Sequence, residues 1–345
     1  MVGKVSRLRD SIPSVEERIH FNNAGSSPSP YSVVEKMKQV LDEENQFGGY
    51  YVQEQLYQDE LESLYNNIGS LINASHPHEE IALVDSATTA WVKVFYSVPL
   101  LETDVIVTSH TEYAANYVAI LQQCKRSGAQ VVVIPTDEHG LVSLSGLQDI
   151  MQKFQDRVRF VCISWIPTNG GVVNDAEGIG RICAEYDRAI YLLDACQAVG
   201  QLEVDVNKIN CDAFSATGRK YLRGPRGTGF LYVKRSLLPT LEEPVTIDHY
   251  AAPWNGLQSY SVVPSAKRFE QWERNVAALL GLNEAIEYCL KNVQMEWAAP
   301  RIQKLGNYFR DSLAALSKEV TREIRVYDLG TPQSRCGIVT FAVQG

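Results

Sequence analysis

AIYLLDACQAVGQLEVDVNKINCDAFSATGRKYLRGPRGTGFLYVK (189–234) holds three short apolar runs, AIYLLD (189–194), DAFSA (212–216) and GFLYVK (229–234), between polar turns. The runs are near-continuous in apolar residues rather than alternating, which is the pattern of strands covered on both faces. Polar residues follow them: Asp194 closes the first, and Thr217, Arg219 and Lys220 come directly after the second. Toward the N-terminus lie four more such runs, IALV (81–84), DVIVTS (104–109), QVVVIP (130–135) and RFVCIS (159–164), with amphipathic, helix-like stretches between them. Strands of this kind alternating with helices predict an open α/β sheet, mostly parallel, in which ligands sit beyond the carboxyl ends of the strands.

Beyond Lys234 the pattern changes. Pro239, Pro244, Pro253, Gly256 and Pro264 punctuate a loop-rich connection. Helical spacing then runs over 266–291 and 298–318, and two strand-like runs, REIRVYDLG (322–330) and CGIVTFAVQG (336–345), follow. The expected organisation is a large domain over 21–294, with 1–20 and 295–345 forming a smaller α+β domain. No helix follows the last run, so that small domain reads as C-terminally incomplete.

Composition narrows the function classes. With 32 basic and 41 acidic residues the net charge is −9, and the basic residues are scattered, which argues against nucleic acid as a partner. No apolar stretch has the length of a membrane span. Seven cysteines at irregular spacing, with no CxxC pair, read as reduced thiols in a cytoplasmic protein. The six histidines show no HExxH, and no metal is expected. GPRGTG (224–229) precedes a strand and is neither GxGxxG nor a P-loop, which speaks against a dinucleotide-binding dehydrogenase.

The polar residues at the strand ends fit the needs of a pyridoxal-phosphate (PLP) enzyme: a Schiff-base lysine, an acid against the pyridine nitrogen, a stacking surface and a phosphate cradle. Lys220 lies in a turn between Arg219 and a glycine-rich segment, and Thr217 and Arg219 are phosphate donors by type. Asp194 at a strand end needs a partner, either backbone donors or a pyridinium, and Gln197 stands one turn on. DSATTAWVKVF (85–95) places Ala87 and Thr88 where a helix begins and N–H groups await an anion; an ordinary cap by Ser86 or Thr88 explains the same residues. Tyr113 in HTEYAANYVAI (110–120) offers an aromatic face, and Thr168 and Asn169 follow the RFVCIS run.

With these residues in order, the chain resembles the class V aminotransferase family, which includes cysteine desulfurases, selenocysteine lyases, isopenicillin N epimerase and C–S lyases of ergothioneine biosynthesis. The likeness runs from FNNAGSSPSP (21–30) to CGIVTF (336–341) and is strongest over 194–233. It implies the PLP-dependent transferase fold of type I, Lys220 as the Schiff-base lysine, Asp194 as the pyridinium partner and Gln197 on the ring hydroxyl. Tyr113 takes the stacking position, where desulfurases carry histidine; Ala87, Thr88, Thr217 and Arg219 fall on the phosphate, and Thr168 and Asn169 near the ring. Asn23, Ala24 and Gly25 fall on the substrate-side N-terminal loop. The resemblance implies an amino-acid substrate and a homodimer, to which Trp254, Phe269 and Trp272 contribute aromatic surface.

Two departures sharpen the expectation. Tyrosine at 113 and a turn after Lys220 one residue longer than in desulfurases point toward the epimerase and C–S lyase branches. None of the seven cysteines falls at the desulfurase nucleophile, and the arginine with which the family binds substrate carboxylate lies past the end of this sequence, leaving Arg268 and Arg226 as replacements to consider. The expected activity is C–S lyase or desulfurase-like chemistry on an amino acid. The alternatives are an aminotransferase or epimerase of the same family, or an impaired PLP-binding protein.

Overall fold

The computed structural model of the chain describes residues 2–320, 323–327 and 330–344. All seven apolar runs are strands: β1 (Ile81–Val84), β2 (Val105–Ser109), β3 (Gln130–Ile134), β4 (Val158–Ser164), β5 (Ile190–Asp194), β6 (Ala213–Thr217) and β7 (Gly229–Val233). They form one sheet in the order β1-β7-β6-β5-β4-β2-β3. β2 runs parallel to both β3 and β4, and β4 parallel to β5, whereas β1 is antiparallel to β7. All residues of β1, β2, β5, β6 and β7 are buried, which explains their continuous apolar runs. β3 ends the strand order, and there Gln130 is exposed and Val131, Val132 and Val133 are only half-buried.

The chain divides into two compact units, Met1–Ser97 with Ser215–Met295, and Val98–Phe214 with Glu296–Gly345. In the first, the Val276–Tyr288 helix is buried on nearly every side and packs on the Tyr31–Phe47 and Gln58–Ile72 helices. Gly281 permits this approach, since a Cβ there would lie 2.7 Å from Met37 Cγ. The helix starts at Val276, later than the expected 266, because the Asn275 side chain caps it by accepting the Ala278 N–H at 2.8 Å. Ala266–Phe269 is instead a 3-10 turn that buries Phe269 completely. Phe269, expected to supply aromatic surface to a dimer, therefore spends that surface inside its own chain, while Trp254 is 71% exposed on a small hairpin, Trp254–Gly256 with Ser259–Tyr260.

In the second unit the Ala114–Ser127, Leu144–Phe154 and Ala176–Cys183 helices accompany β2 to β5. The Met295–Glu319 helix then leads into an antiparallel pair, Ile324–Val326 with Phe341–Val343. These are short strands inside the two expected runs, of which Arg322, Asp328, Leu329 and Gly345 lie outside the described residues. Buried Arg310 donates from Nη1 to the Cys336 carbonyl at 3.0 Å and from Nη2 to that of Ile338. Gly306 lets the helix approach so closely that a Cβ would sit 2.6 Å from the Cys336 oxygen.

Candidate active site

In the first unit the end of β6 turns sharply. Gly218 donates its N–H to the Thr228 carbonyl at 3.0 Å and stands where a Cβ would meet Thr228 Oγ1 at 2.3 Å, so the turn requires glycine. Gly227, at φ +76°, completes the glycine-rich segment. Thr217 is buried and donates to the Thr228 carbonyl at 3.3 Å. Arg219 reaches the Gly25 carbonyl through its guanidinium, and its own carbonyl accepts the Ser27 N–H at 2.9 Å. Asn23 accepts from the Ser27 hydroxyl at 3.0 Å. The structure thus brings the Asn23–Ala24–Gly25 loop against the turn that carries Lys220.

Lys220 itself is only 7% exposed. Its ammonium has no hydrogen-bond or ion-pair partner among the described residues. The contrast is Lys93, equally buried, whose Nζ donates to the Phe269 carbonyl at 2.7 Å. A buried amine without a partner costs several kcal/mol if charged, so the position asks for something not made of protein.

β1 leads into the Ala87–Phe95 helix, where Ser86, in extended conformation, caps by accepting the Thr89 N–H at 3.1 Å. Helix geometry leaves the N–H groups of Ala87 and Thr88 without an intrahelical acceptor. At Gly229 on β7 a Cβ would lie 2.6 Å from the Ala216 oxygen and 3.2 Å from the Ala87 nitrogen, so glycine lets this helix start sit close on the strands. A cavity of about 750 Å³ opens nearby, lined by Tyr50, Asp85, Thr89, Lys93, Trp272 and Arg274. None of the expected cofactor residues lines it. Arg268 holds the backbone, donating to the Val263 and Leu238 carbonyls at 3.0 and 3.3 Å, whereas Arg226 is exposed.

In the second unit, the register of β4 with β5 sets Ser164 opposite Asp194 at the strand ends. Asp194 is 5% exposed; its Oδ1 accepts the Cys196 N–H at 3.0 Å and its Oδ2 the Asn116 amide at 2.9 Å. It has no ion-pair partner among the described residues. Tyr113 precedes the Ala114–Ser127 helix with its ring part-exposed, and Gln197 is buried one turn beyond Asp194. Thr168 and Asn169 lie on an exposed turn past β4.

The residues that motif reading passed over are Glu112 and Asn116. One Glu112 oxygen, Oε1, accepts from the Ser164 hydroxyl at 2.7 Å, from Asn116 at 2.9 Å and from the Tyr113 N–H at 2.9 Å. Burial first, and Asp194 second, push the Glu112 carboxyl up to about 7. The available signal was the four-residue spacing of a carboxylate and an amide across a helix start, directly flanking Tyr113.

The sequence profile of the family described as aminotransferase class-V matches residues 19–345. The chain belongs to that family. Pyridoxal phosphate is the cofactor of class V aminotransferases, and each unit of this class V chain fits it: among the described residues, a buried lysine lacks a partner in one unit and a buried carboxylate lacks a cation in the other. Among similar proteins is a probable cysteine desulfurase of Methanothermobacter thermautotrophicus, 28% identical over 97% of this chain and 80% of its own length. Another, from Pyrococcus abyssi, is 26% identical over 97% of this chain and 81% of its own. The fold matches that of the apo cysteine desulfurase of Thermococcus onnurineus at a TM-score of 0.86, with 23% identity over 99% of this chain and 82% of that one. It also matches a cystine C–S lyase solved with cysteine persulfide, at 0.85 with 19% identity over 96% and 86% of the two chains.

Proposed function

We propose that this class V enzyme breaks the C–S bond of a sulfur amino acid by elimination, with Lys220 as the residue that carries the cofactor and moves the substrate's α-proton. The buried amine of Lys220 at the end of β6, with no partner among the described residues, is the observation that carries this reading. When bound, PLP withdraws electrons from the substrate's α-carbon. Asp194 supplies the negative charge that holds the pyridine nitrogen protonated, and Tyr113 the aromatic face over the ring. Thr217, with the N–H groups of Ala87 and Thr88, holds the phosphate, and Arg219 ties the Asn23–Gly25 loop beside the reacting end. Gln197 meets the ring hydroxyl, and the turn at Thr168 and Asn169 borders the ring.

The names of the similar proteins support a sulfur amino acid as substrate. Burial raises Cys124, Cys162, Cys183 and Cys289 above the ordinary thiol range, which makes these four thiols poor acceptors of sulfur from the substrate. Elimination from cysteine with one water yields sulfide, pyruvate and ammonia; from cystine it yields cysteine persulfide, pyruvate and ammonia. We place the enzyme in the cytoplasm, as a homodimer; the seven uncrosslinked thiols support the first, and exposed Trp254 and Leu257 the second.

The test is direct. Purified protein with PLP is expected to show a visible absorption band that Lys220→Ala abolishes along with activity, a loss on the order of 10⁴-fold. Cysteine and cystine are expected to yield pyruvate. Alanine as the sole organic product would replace elimination with desulfuration, and a protein that PLP cannot colour would refute the reading. Light scattering at micromolar concentration checks the dimer.

A further inference from the structure

Two carboxyl groups and one amide lie together at the ends of β2 and β5 in the second unit. Asn116 spends both amide hydrogens at 2.9 Å, one on Glu112 Oε1 and one on Asp194 Oδ2. Glu112 in turn is fixed by the Ser164 hydroxyl and the Tyr113 N–H, donors that also set where Tyr113 enters its helix. The other Glu112 oxygen, Oε2, and the Asn116 oxygen, Oδ1, are both buried with no hydrogen-bond partner among the described residues.

We propose that Glu112 is a positioning residue for Asp194, acting through Asn116, and that the carboxyl pair carries one negative charge rather than two, held on Asp194 for the cofactor's ring nitrogen. This rests on the PLP reading above. Three observations carry it. No cation pairs with either carboxyl among the described residues, so two charges joined by a single amide would repel one another in a buried site. An ionised Glu112 would bury an acceptor with nothing donating to it, whereas a proton on Oε2 makes that atom a donor beside the unmatched Asn116 oxygen. Asp194 Oδ1 takes a backbone N–H and Oδ2 the amide, which fixes the plane of the carboxylate. The upward displacement of Glu112 to about 7 agrees. Cys162 on β4 and Tyr191 on β5 also feel Glu112; burial raises both well above their ordinary values and keeps them neutral, so neither adds a further negative charge beside the pair.

Two measurements test the proposal. In the cofactor-free protein, infrared difference spectra between pH 5 and pH 9 are expected to show a protonated carboxyl signal that disappears near pH 7 and is absent from Glu112→Gln. A wild-type signal identical to that of the variant would overturn the single-charge pair. Second, Glu112→Ala and Asn116→Ala are each expected to weaken PLP binding roughly tenfold, and the double variant no further, since both release the same contact to Asp194. Additive losses, or an unaltered Glu112→Ala, would overturn the positioning role. Glu112→Gln keeps an oxygen for Asn116 and is expected to bind PLP within roughly twofold of wild type at pH 6. The ratio of wild-type to Glu112→Gln affinity is expected to rise with pH through about 7, because a pyridinium favours the ionised form of a neighbouring carboxyl. A flat ratio would count against the coupling. If wild type binds no PLP at all, the functional reading fails, and the infrared titration still decides the carboxyl pair.

Discussion

Glu270 in the first unit and Asp194 in the second are both buried carboxylates at the heart of an α/β unit, and they are satisfied in opposite ways. Glu270, at 1% exposure, accepts from the Tyr65 hydroxyl at 2.7 Å, the Leu83 N–H at 2.9 Å and the Arg274 guanidinium at 3.1 Å. Its charge is matched inside the chain. Asp194 has an amide and a backbone N–H but no cation among the described residues, although Glu112 crowds it with a second carboxyl. The buried lysines divide in the same way: Lys93 is tied to the Phe269 carbonyl, while Lys220 has no partner among the described residues. A buried charge that the fold matches is structural; one that it leaves unmatched marks where a ligand supplies the counter-charge.

Substitutions sharpen or break this division. Asp194→Asn is expected to keep the fold and some cofactor but lose roughly 10²–10³-fold in turnover, because a neutral amide no longer holds the ring nitrogen protonated. Wild-type turnover in that variant would reduce Asp194 to a structural role. Glu270→Gln is expected to do the reverse, costing about 3–5 kcal/mol in chemical denaturation by stranding Arg274, with the absorption spectrum of the folded fraction unchanged. A spectral shift there would mean that the two clusters are not separate in function.

The pH dependence of stability separates them further. Glu112 has a folded-state value of about 7 against an ordinary 4.5, so the folded protein keeps a proton that the unfolded chain releases. Its contribution is fully present below pH 4.5 and is lost as pH rises toward 7, about 3 kcal/mol in total. The stability difference between wild type and Glu112→Gln, followed from pH 5 to pH 8 in urea, is expected to move in the variant's favour. The smallest expected effect is at Ser86: Ser86→Ala removes the cap on Thr89 N–H and is expected to cost about 1 kcal/mol of stability, read as a lowered urea midpoint.

The strands were legible because two-sided burial writes continuous apolar runs, and all seven appear where those runs lie. Two-sided burial also hides direction: β1 and β7 read like the parallel strands of the sheet yet pair antiparallel with each other. The stretch 266–275 misled because Ala266 and Phe269 extend the apolar spacing of the following helix, whereas Asn275, a good cap, marks the true start. At the site, Lys220 and Asp194 announced themselves by type and place at strand ends. Glu112 and Asn116 did not, since a carboxylate and an asparagine near a helix start read as surface until β2, β4 and β5 bring Ser164 and Asp194 against them.

Arg310 gives the end of the described chain an unexpected tenacity. The strand Phe341–Val343 is three residues long and would by itself fray. The segment before it, however, lends the Cys336 and Ile338 carbonyls to a buried guanidinium and the Gly337 N–H to Gln201 at 2.7 Å. To peel these residues away is to take two carbonyl acceptors from a positive charge in the interior. In hydrogen exchange the Gly337 amide should accordingly be protected far longer than those of Ala342 and Val343, so that opening of this segment stalls where the backbone meets Arg310.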